Sequence, residues 1–254
     1  MPNSFGEILK TWRNQRRLSQ LDLGLIANVS ARHISFLETG RSKPSRAMTM
    51  QLCETLAVPL QDRTSLIHAA GYSSPYQARS LDAVEMQDVR QAINWMLKRH
   101  EPYPAFLLDR HWQFLETNGP AKMLLGATGL HVGDSILDFL MDVEKASAVL
   151  ENWQEVIQHT LIRLRTENTH FGSDPVLENA ISRLSELLED QHMPIETNLP
   201  PLVPTRYRLG DKTLSLFSTI AQFGTAEDLT LAELKIEMVF PADEASRQFF
   251  ESLK

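Results

Sequence analysis

Residues 18–45 read LSQLDLGLIANVSARHISFLETGRSKPS, and their polar side chains suit one chemistry above the rest. Gln20, Ser30, Arg32, His33, Arg41 and Lys43, with Arg17 just upstream, are side chains of the kind that grip phosphate oxygens and base edges. Phe36 adds an aromatic ring to the set. Patterns for other chemistries are missing. Gly126, Gly129 and Gly133 in GATGLHVGD fit neither a dinucleotide-binding fingerprint nor a phosphate loop. His159 and His170 lie too far apart for one helix face, and neither an H-E-x-x-H pair nor a G-x-S-x-G elbow occurs. The 32 acidic residues make chance carboxylate pairs abundant, so none is singled out as catalytic. Cys53 stands alone, which excludes an internal disulfide and a multi-cysteine metal site. No catalytic residue, metal site or resident cofactor is expected.

The elements that must position the first set are short helices. Phe5, Ile8, Leu9 and Trp12 recur at helical spacing and predict a first helix ending in the basic run Arg13–Arg17. Ser19, with Asp22 three residues on, predicts the capped start of a second helix over 20–27, with Leu21, Leu25 and Ile26 as its apolar positions and Gln20 left free. Ser30 opens a third, with Ile34 and Leu37 facing inward. Between these two helices Asn28 tolerates a positive φ, Gly24 removes the side chain where the helices meet, and Val29 plugs the gap. That is helix-turn-helix geometry, in which the second helix presents its N-terminal half to a DNA major groove. Ser45 caps a fourth helix with Met48, Leu52, Cys53, Leu56 and Ala57 as its stripe. Pro59 ends it, and a fifth helix stops at Gly71.

Leu18-Ser19-Gln20, Val29-Ser30, Ile34-Ser35, Leu37-Glu38, Gly40-Arg41 and Pro44 together resemble the XRE (Cro/phage-repressor-type) helix-turn-helix family. Gly24 stands where that family usually has Ala, and Asn28 where it usually has Gly. The resemblance implies that Gln20 and Arg41 hold phosphates, helped by Arg17, Ser30 and Lys43, with Arg32, His33 and Phe36 on the outward face of the recognition helix. Arg32 is the candidate for bidentate reading of guanine. His33 suits a phosphate or a base edge, and Phe36 a thymine methyl or packing against its own module. Glu38 is expected to pair with an arginine, because a carboxylate facing phosphates would be repelled.

A net charge of −7 seems to oppose a polyanionic partner. Residues 1–70, however, hold nine Lys/Arg against five Asp/Glu, a local +4 that leaves −11 on the remainder. Screening beyond about 8–10 Å makes the local value the relevant one. The 254 residues, 43% hydrophobic and with no apolar run long enough to cross a bilayer, suit a cytoplasmic protein of two domains. We divide the chain into 1–72, an all-α five-helix bundle, 73–103, a linker and connecting helix, and 104–254.

In the last region AFLLDRHWQFLETN predicts two short strands around Asp109-Arg110. Helices follow at AKMLLG, SILDFLMD, SAVLENWQEVIQHTLIRLRTE and PVLENAISRLSELLED. Strands return in TRYRLGDKTLSLFSTIAQFG, hinged at Gly210-Asp211, and in LAELKIEMVFP. This order predicts an α+β, PAS-like module in which helices cover an antiparallel sheet. Tyr103-Pro104-Ala105, Leu108-Asp109-Arg110-His111-Trp112, Thr117-Asn118, Phe217-Ser218-Thr219 and Phe240-Pro241-Ala242-Asp243 resemble the MmyB-like ligand-binding domain. The resemblance implies a PAS-like fold and a small apolar ligand, with fatty acids as the leading class. Phe106, Trp112, Phe114, Trp153, Leu161, Leu164 and Phe217 could line a cavity or simply fill a core. Arg163, Arg165, Arg206 and Arg208 could hold a carboxylate or remain solvated.

The reading that follows is a regulator bound as a homodimer to double-stranded operator DNA, its C-terminal domain sensing a small apolar ligand and acting through the hinge at 71–80 or the dimer geometry. The alternatives are a C-terminal domain that serves only dimerisation or protein interaction, and an enzyme tethered to DNA.

Overall fold

The computed structural model describes residues 4–171, 174–190, 202–223 and 227–253. Residues 1–78, together with 167–174 and 227–229, form one compact unit, and the rest of the chain forms a second.

Five helices build the N-terminal unit: α1 (Phe5–Gln15), α2 (Gln20–Ile26), α3 (Ala31–Glu38), α4 (Arg46–Thr55) and α5 (Leu60–Ala69). Their starts follow capping chemistry. Ser4 with Glu7 and Ser19 with Asp22 form reciprocal capping boxes, while Ser30 and Ser45 accept from His33 N and Met48 N. Phe5, Leu9, Trp12, Leu23, Ile34, Leu37, Leu52, Cys53, Leu56 and Leu66 close into one core, each large side chain contributing roughly 1.5–3 kcal/mol by burial. Burial raises the Cys53 thiol to about 11, consistent with its place as a core residue. Two expectations are corrected here. Leu21, Leu25 and Ile26 are 60, 71 and 62% exposed, and Leu23, Gly24 and Ala27 are the buried face of α2. Gly24 must face α3, which turns its neighbours one and two places on outward. The end of α4 is made by Ala57 at φ 46°, with Val58 N donating to Cys53 O, whereas Pro59 stands at the start of α5. Gly71 (φ 89°) stops α5, and Tyr72, Ser74 and Tyr76 then bond back to Pro44, Thr64 and Arg63. Much of the segment read as a hinge is therefore tied to the helical bundle.

The second unit is built on five strands: β1 (Ala105–Leu108), β2 (Phe114–Thr117), β3 (Thr205–Leu209), β4 (Lys212–Gln222) and β5 (Lys235–Pro241). They pair antiparallel in the order β2-β1-β5-β4-β3, so the first and last segments of the domain meet at its centre. The predicted α+β, PAS-like architecture is the one observed, and Gly210 (φ 58°) makes the β3–β4 turn. Strand alternation gives the sheet two buried faces. Ala105, Leu107, Leu234 and Ile236 pack with Ile93 and Leu97 of α6 (Gln87–Arg99), which a 3-10 turn at Val84–Met86 precedes. Phe106, Leu108, Phe114, Leu214, Leu216 and Val239 face the other way.

That second face packs with α7 (Gly119–Thr128) and the start of α8 (Ile136–Met141), while α9 (Val143–Val149), α10 (Trp153–Phe171) and α11 (Pro175–Asp190) join α8 in a helical cluster that Tyr207 of β3 touches. The long helix expected from Ser147 onward is interrupted. Leu150 bridges to Tyr207, and Asn152 accepts from Arg206 N at 2.8 Å while donating to Pro204 O at 2.8 Å. These bonds to β3 outweigh local helix propensity, which is a weak prior. Likewise, LAELKIEMVFP is not one strand, because α12 (Leu229–Glu233) precedes β5. The last helix, α13 (Glu244–Glu251), buries Phe250 against the sheet cluster.

Candidate functional site

The turn between α2 and α3 has the geometry its residues predict. Asn28 has φ 51°, and Val29 N donates to Gly24 O at 2.8 Å. A Cβ on Gly24 would come within 2.5 Å of Val29 O, so the glycine permits the close crossing. Sequence reasoning missed a second such position. A Cβ on Gly6 would lie 2.4 Å from Glu38 O, where α1 presses on the end of α3.

Glu38 does pair with an arginine. Arg13 Nε and Nη2 donate to its two carboxylate oxygens at 2.6 and 3.1 Å, and Gln20 Nε2 donates to Oε2 at 2.8 Å. The Glu38 and Arg13 side chains are only 3 and 10% exposed, so the bidentate pair is a buried anchor that also orients Gln20 at the start of α2. On the outward side of α3 the structure brings Arg32, Phe36 and Arg41 together. The two guanidinium carbons stand 5.2 and 6.0 Å from the Phe36 ring centre, within cation–π range. Phe36 O also accepts from Arg41 N and Ser42 N, which fixes the loop after α3. Arg32 and Lys43 are exposed, His33 is half-buried, and Ser30 and Arg17 are exposed at the ends of helices, Arg17 with φ 55°. Arg32 thus lies on α3, Arg41 and Lys43 lie in the loop after it, and Gln20, expected to be free, donates to Glu38 at the start of α2.

The second site lies between the sheet and its covering helices. A cavity of about 270 Å³ is walled by Phe106, Phe114, Leu124, Leu125, Ile136, Phe139, Leu150, Leu216 and Val239 among others. Of the residues proposed from sequence, Phe106, Trp112, Phe114, Arg163 and Phe217 line it. The Phe217 ring itself stacks on Phe240 at 5.5 Å. Trp153 is not in the wall. Its ring is held in the helical core, with Nε1 donating to Leu140 O at 3.1 Å, and Leu161 and Leu164 sit in the same cluster. Arg206 is also outside the wall and stands 3.4 and 3.5 Å from Glu151 and Glu155. Arg165 and Arg208 donate to Ser185 Oγ and Ser147 O. Arg163 is therefore the one proposed arginine that reaches the cavity.

Local geometry explains the Asp109-Arg110-His111-Trp112 segment. Asp109 Oδ1 accepts from His111 N and Gln113 N at 2.8 and 2.9 Å, closing a turn that holds Trp112 at φ 64°. The indole is then flanked by Arg163 and Lys235, 4.1 and 5.0 Å from the ring centre. Asn118 is the other organiser. It caps α7 and donates to Leu97 O and Tyr103 O, joining α6, β1 and α7.

Sequence reasoning missed seven polar wall residues: His159, Thr160, Tyr207, Ser218, Glu237, Thr128 and Thr205. Helical spacing from Arg163 could have found the first two, and strand alternation places Tyr207 opposite in facing to Arg206 and Arg208. Burial, with Arg163 nearby, lowers the His159 pKa, so its imidazole is neutral around pH 7. Burial, aided by the Glu237 carboxylate, raises Tyr207 and keeps its phenol protonated. Among the described residues no group of three or more His, Cys, Asp or Glu is placed to hold a metal, and no helix is long and apolar enough to cross a membrane.

Comparison with known proteins finds one family match in each part of the chain. Residues 4–66 match a family described as helix-turn-helix domain, and residues 89–253 match the MmyB-like transcription regulator ligand binding domain. The HTH-type transcriptional repressor RghR of Bacillus subtilis (strain 168) is 32% identical over 114 residues, which are 44% of this chain and 79% of that protein. The PAS domain from Bordetella pertussis BvgS aligns over 65% of this chain and 95% of its own, at 13% identity and a TM-score of 0.31, a likeness too slight to bear on the fold.

Proposed function

The chain belongs to the MmyB-like family of DNA-binding transcription regulators with a ligand-binding domain, and from that premise we propose that the cavity is its sensor site. The ligand is a small, largely apolar molecule, with fatty acids the first class to try. The observation that carries this reading is a hollow of about 270 Å³ lined mainly by apolar side chains, just below the usual range of about 300–1,000 Å³ for ligand sites, with Arg163 in its wall. Arg163 suits a carboxylate head and the leucines of the wall suit an acyl chain. The regulator works in the cytoplasm as a homodimer on two operator half-sites roughly 34–36 Å apart. Ligand binding alters operator affinity in proportion to its preference for one of two states.

On DNA, Arg32 reads a base and Arg41, Gln20, Lys43, Arg17 and Ser30 hold phosphates. A mobility-shift titration on the protein's own promoter region tests both assignments. The Arg32→Ala variant should relax preference at one base position. Arg41→Ala should weaken all sequences alike and lower the salt slope by about 1. An unchanged salt slope for Arg41→Ala would remove it from the phosphate contacts. For the cavity, the purified protein is extracted and the extract examined by mass spectrometry, alongside thermal shifts with fatty acids of graded length. No retained species and no shift would favour a domain that serves only dimerisation or protein interaction.

A further inference from the structure

The cavity wall carries more hydrogen-bonding capacity than a plain fatty acid can meet. Thr160 is 7% exposed, and its hydroxyl has no partner among the described residues. The Tyr207 phenol on β3 likewise lacks one, and it stays protonated, so it can donate. Glu237, half-buried on the cavity face of β5, accepts only from the exposed Ser218 Oγ among the described residues. An ionised carboxylate has about four acceptor sites, and one hydroxyl leaves most of them open. Thr160 and Arg163 lie one turn apart on α10, while Tyr207, Ser218 and Glu237 come from the sheet. The helix wall therefore offers a cation and a hydroxyl, and the sheet wall offers an acceptor, all around one apolar volume.

A bare carboxylate head accepts hydrogen bonds and donates none. It can engage Arg163, Thr160 and Tyr207, but it leaves Glu237 unmet and sets a second negative charge in the same cavity. Displacing water from the Glu237 carboxylate without replacing its hydrogen bonds, and bringing like charges together, both oppose binding. A head with an O–H or N–H as well as an acceptor satisfies both walls. Resting on the sensor reading above, we propose that the cavity selects acyl compounds that carry a hydrogen-bond donor near the head, a hydroxyl or an amide N–H, over unsubstituted fatty acids. Glu237 receives that donor, with Ser218 orienting the carboxylate, and Thr160 and Tyr207 complete the head-group contacts.

Isothermal titration of the full chain with octanoic acid, β-hydroxyoctanoic acid and octanamide tests this. The hydroxylated acid and the amide should bind about tenfold tighter than the plain acid, the scale of one hydrogen bond to a charged group. Glu237→Met should bring the three probes to within about threefold of one another without weakening the plain acid. Glu237→Gln, which keeps side-chain shape and can itself donate to a carboxylate, should narrow the same gap and serves if the first variant folds poorly. Equal affinities for the three probes in the unmodified protein would overturn the donor requirement and leave the sensor reading standing. A preference that survives Glu237→Met would remove that residue from the role. Failure of all three probes, and of longer-chain homologues of each, would overturn the sensor reading and the donor requirement with it.

Discussion

The two units treat space in opposite ways. In the helical unit a single added carbon at Gly6 or Gly24 would fall within 2.4 or 2.5 Å of a backbone oxygen. In the sheet unit a hollow of about 270 Å³ separates the covering helices from the strands. Charge follows the same division. Among the described residues the helical unit buries the Arg13–Glu38 ion pair, with both partners bonded to each other and to neighbours, whereas the cavity wall displays Glu237, Thr160 and Tyr207 with bonding capacity left over. A unit that must present donors at fixed spacing to a rigid polyanion gains from leaving nothing to adjust. A unit that must admit a small molecule gains from leaving volume and polar groups open.

The largest expected effect tests the closed side of that contrast. Glu38→Ala removes the partner of Arg13, which is 8% exposed, and leaves a buried cation unpaired. Breaking such a pair costs about 3–5 kcal/mol, so thermal unfolding of the helical unit should shift strongly downward and DNA binding should be lost at ordinary temperature. An unfolding temperature close to that of the unmodified protein would show that the pair is not an anchor.

Next comes a direct comparison of packing. Gly6→Ala should destabilise the helical unit by about 1–3 kcal/mol in urea unfolding, despite the better helix propensity of alanine. Leu130→Phe, which adds a ring at the cavity wall, should change the stability of the sheet unit by less than about 1 kcal/mol while reducing any ligand-induced thermal shift. The reverse order of sensitivity would break the comparison.

The smallest effect concerns pH. The His159 pKa is lowered from its usual 6.5 by burial first and by Arg163 second, so the unfolded chain binds the proton more readily than the folded one. Its contribution to stability is therefore fully present above about pH 6.5 and is lost as pH falls through the lower folded value. An NMR titration should find the His159 midpoint below the ordinary histidine value, and a bound carboxylate should move it back up. A midpoint at or above the ordinary value would show that burial and Arg163 do not control this histidine.

Most of the architecture was legible because it rests on short-range chemistry. Ser19, Ser30 and Ser45 cap helices with side-chain bonds to amides three residues away, Asn28 and Gly210 adopt positive φ, and alternation marks β3 and β4. Those terms depend on residues within one or two turns, and a sequence displays them directly. The failures share the opposite cause. In the seven residues of α2, periodicity cannot choose a face, and Gly24 contacting α3 decided it. The break between α9 and α10 was set by Asn152 reaching β3 more than fifty residues away. Trp153 and Trp112 are both tryptophans beside helical runs, yet only the turn closed by Asp109 puts one of them in the cavity wall.

The sequence by itself determined that a basic helix-turn-helix unit precedes an acidic α+β domain, because composition, capping and periodicity are local sums. Packing alone settles which of four arginines lines the cavity, and that Thr160, Tyr207 and Glu237 line it as well. Those side chains come from a helix and two strands, and their meeting is a property of how the sheet and its covering helices pack, which no residue spacing records.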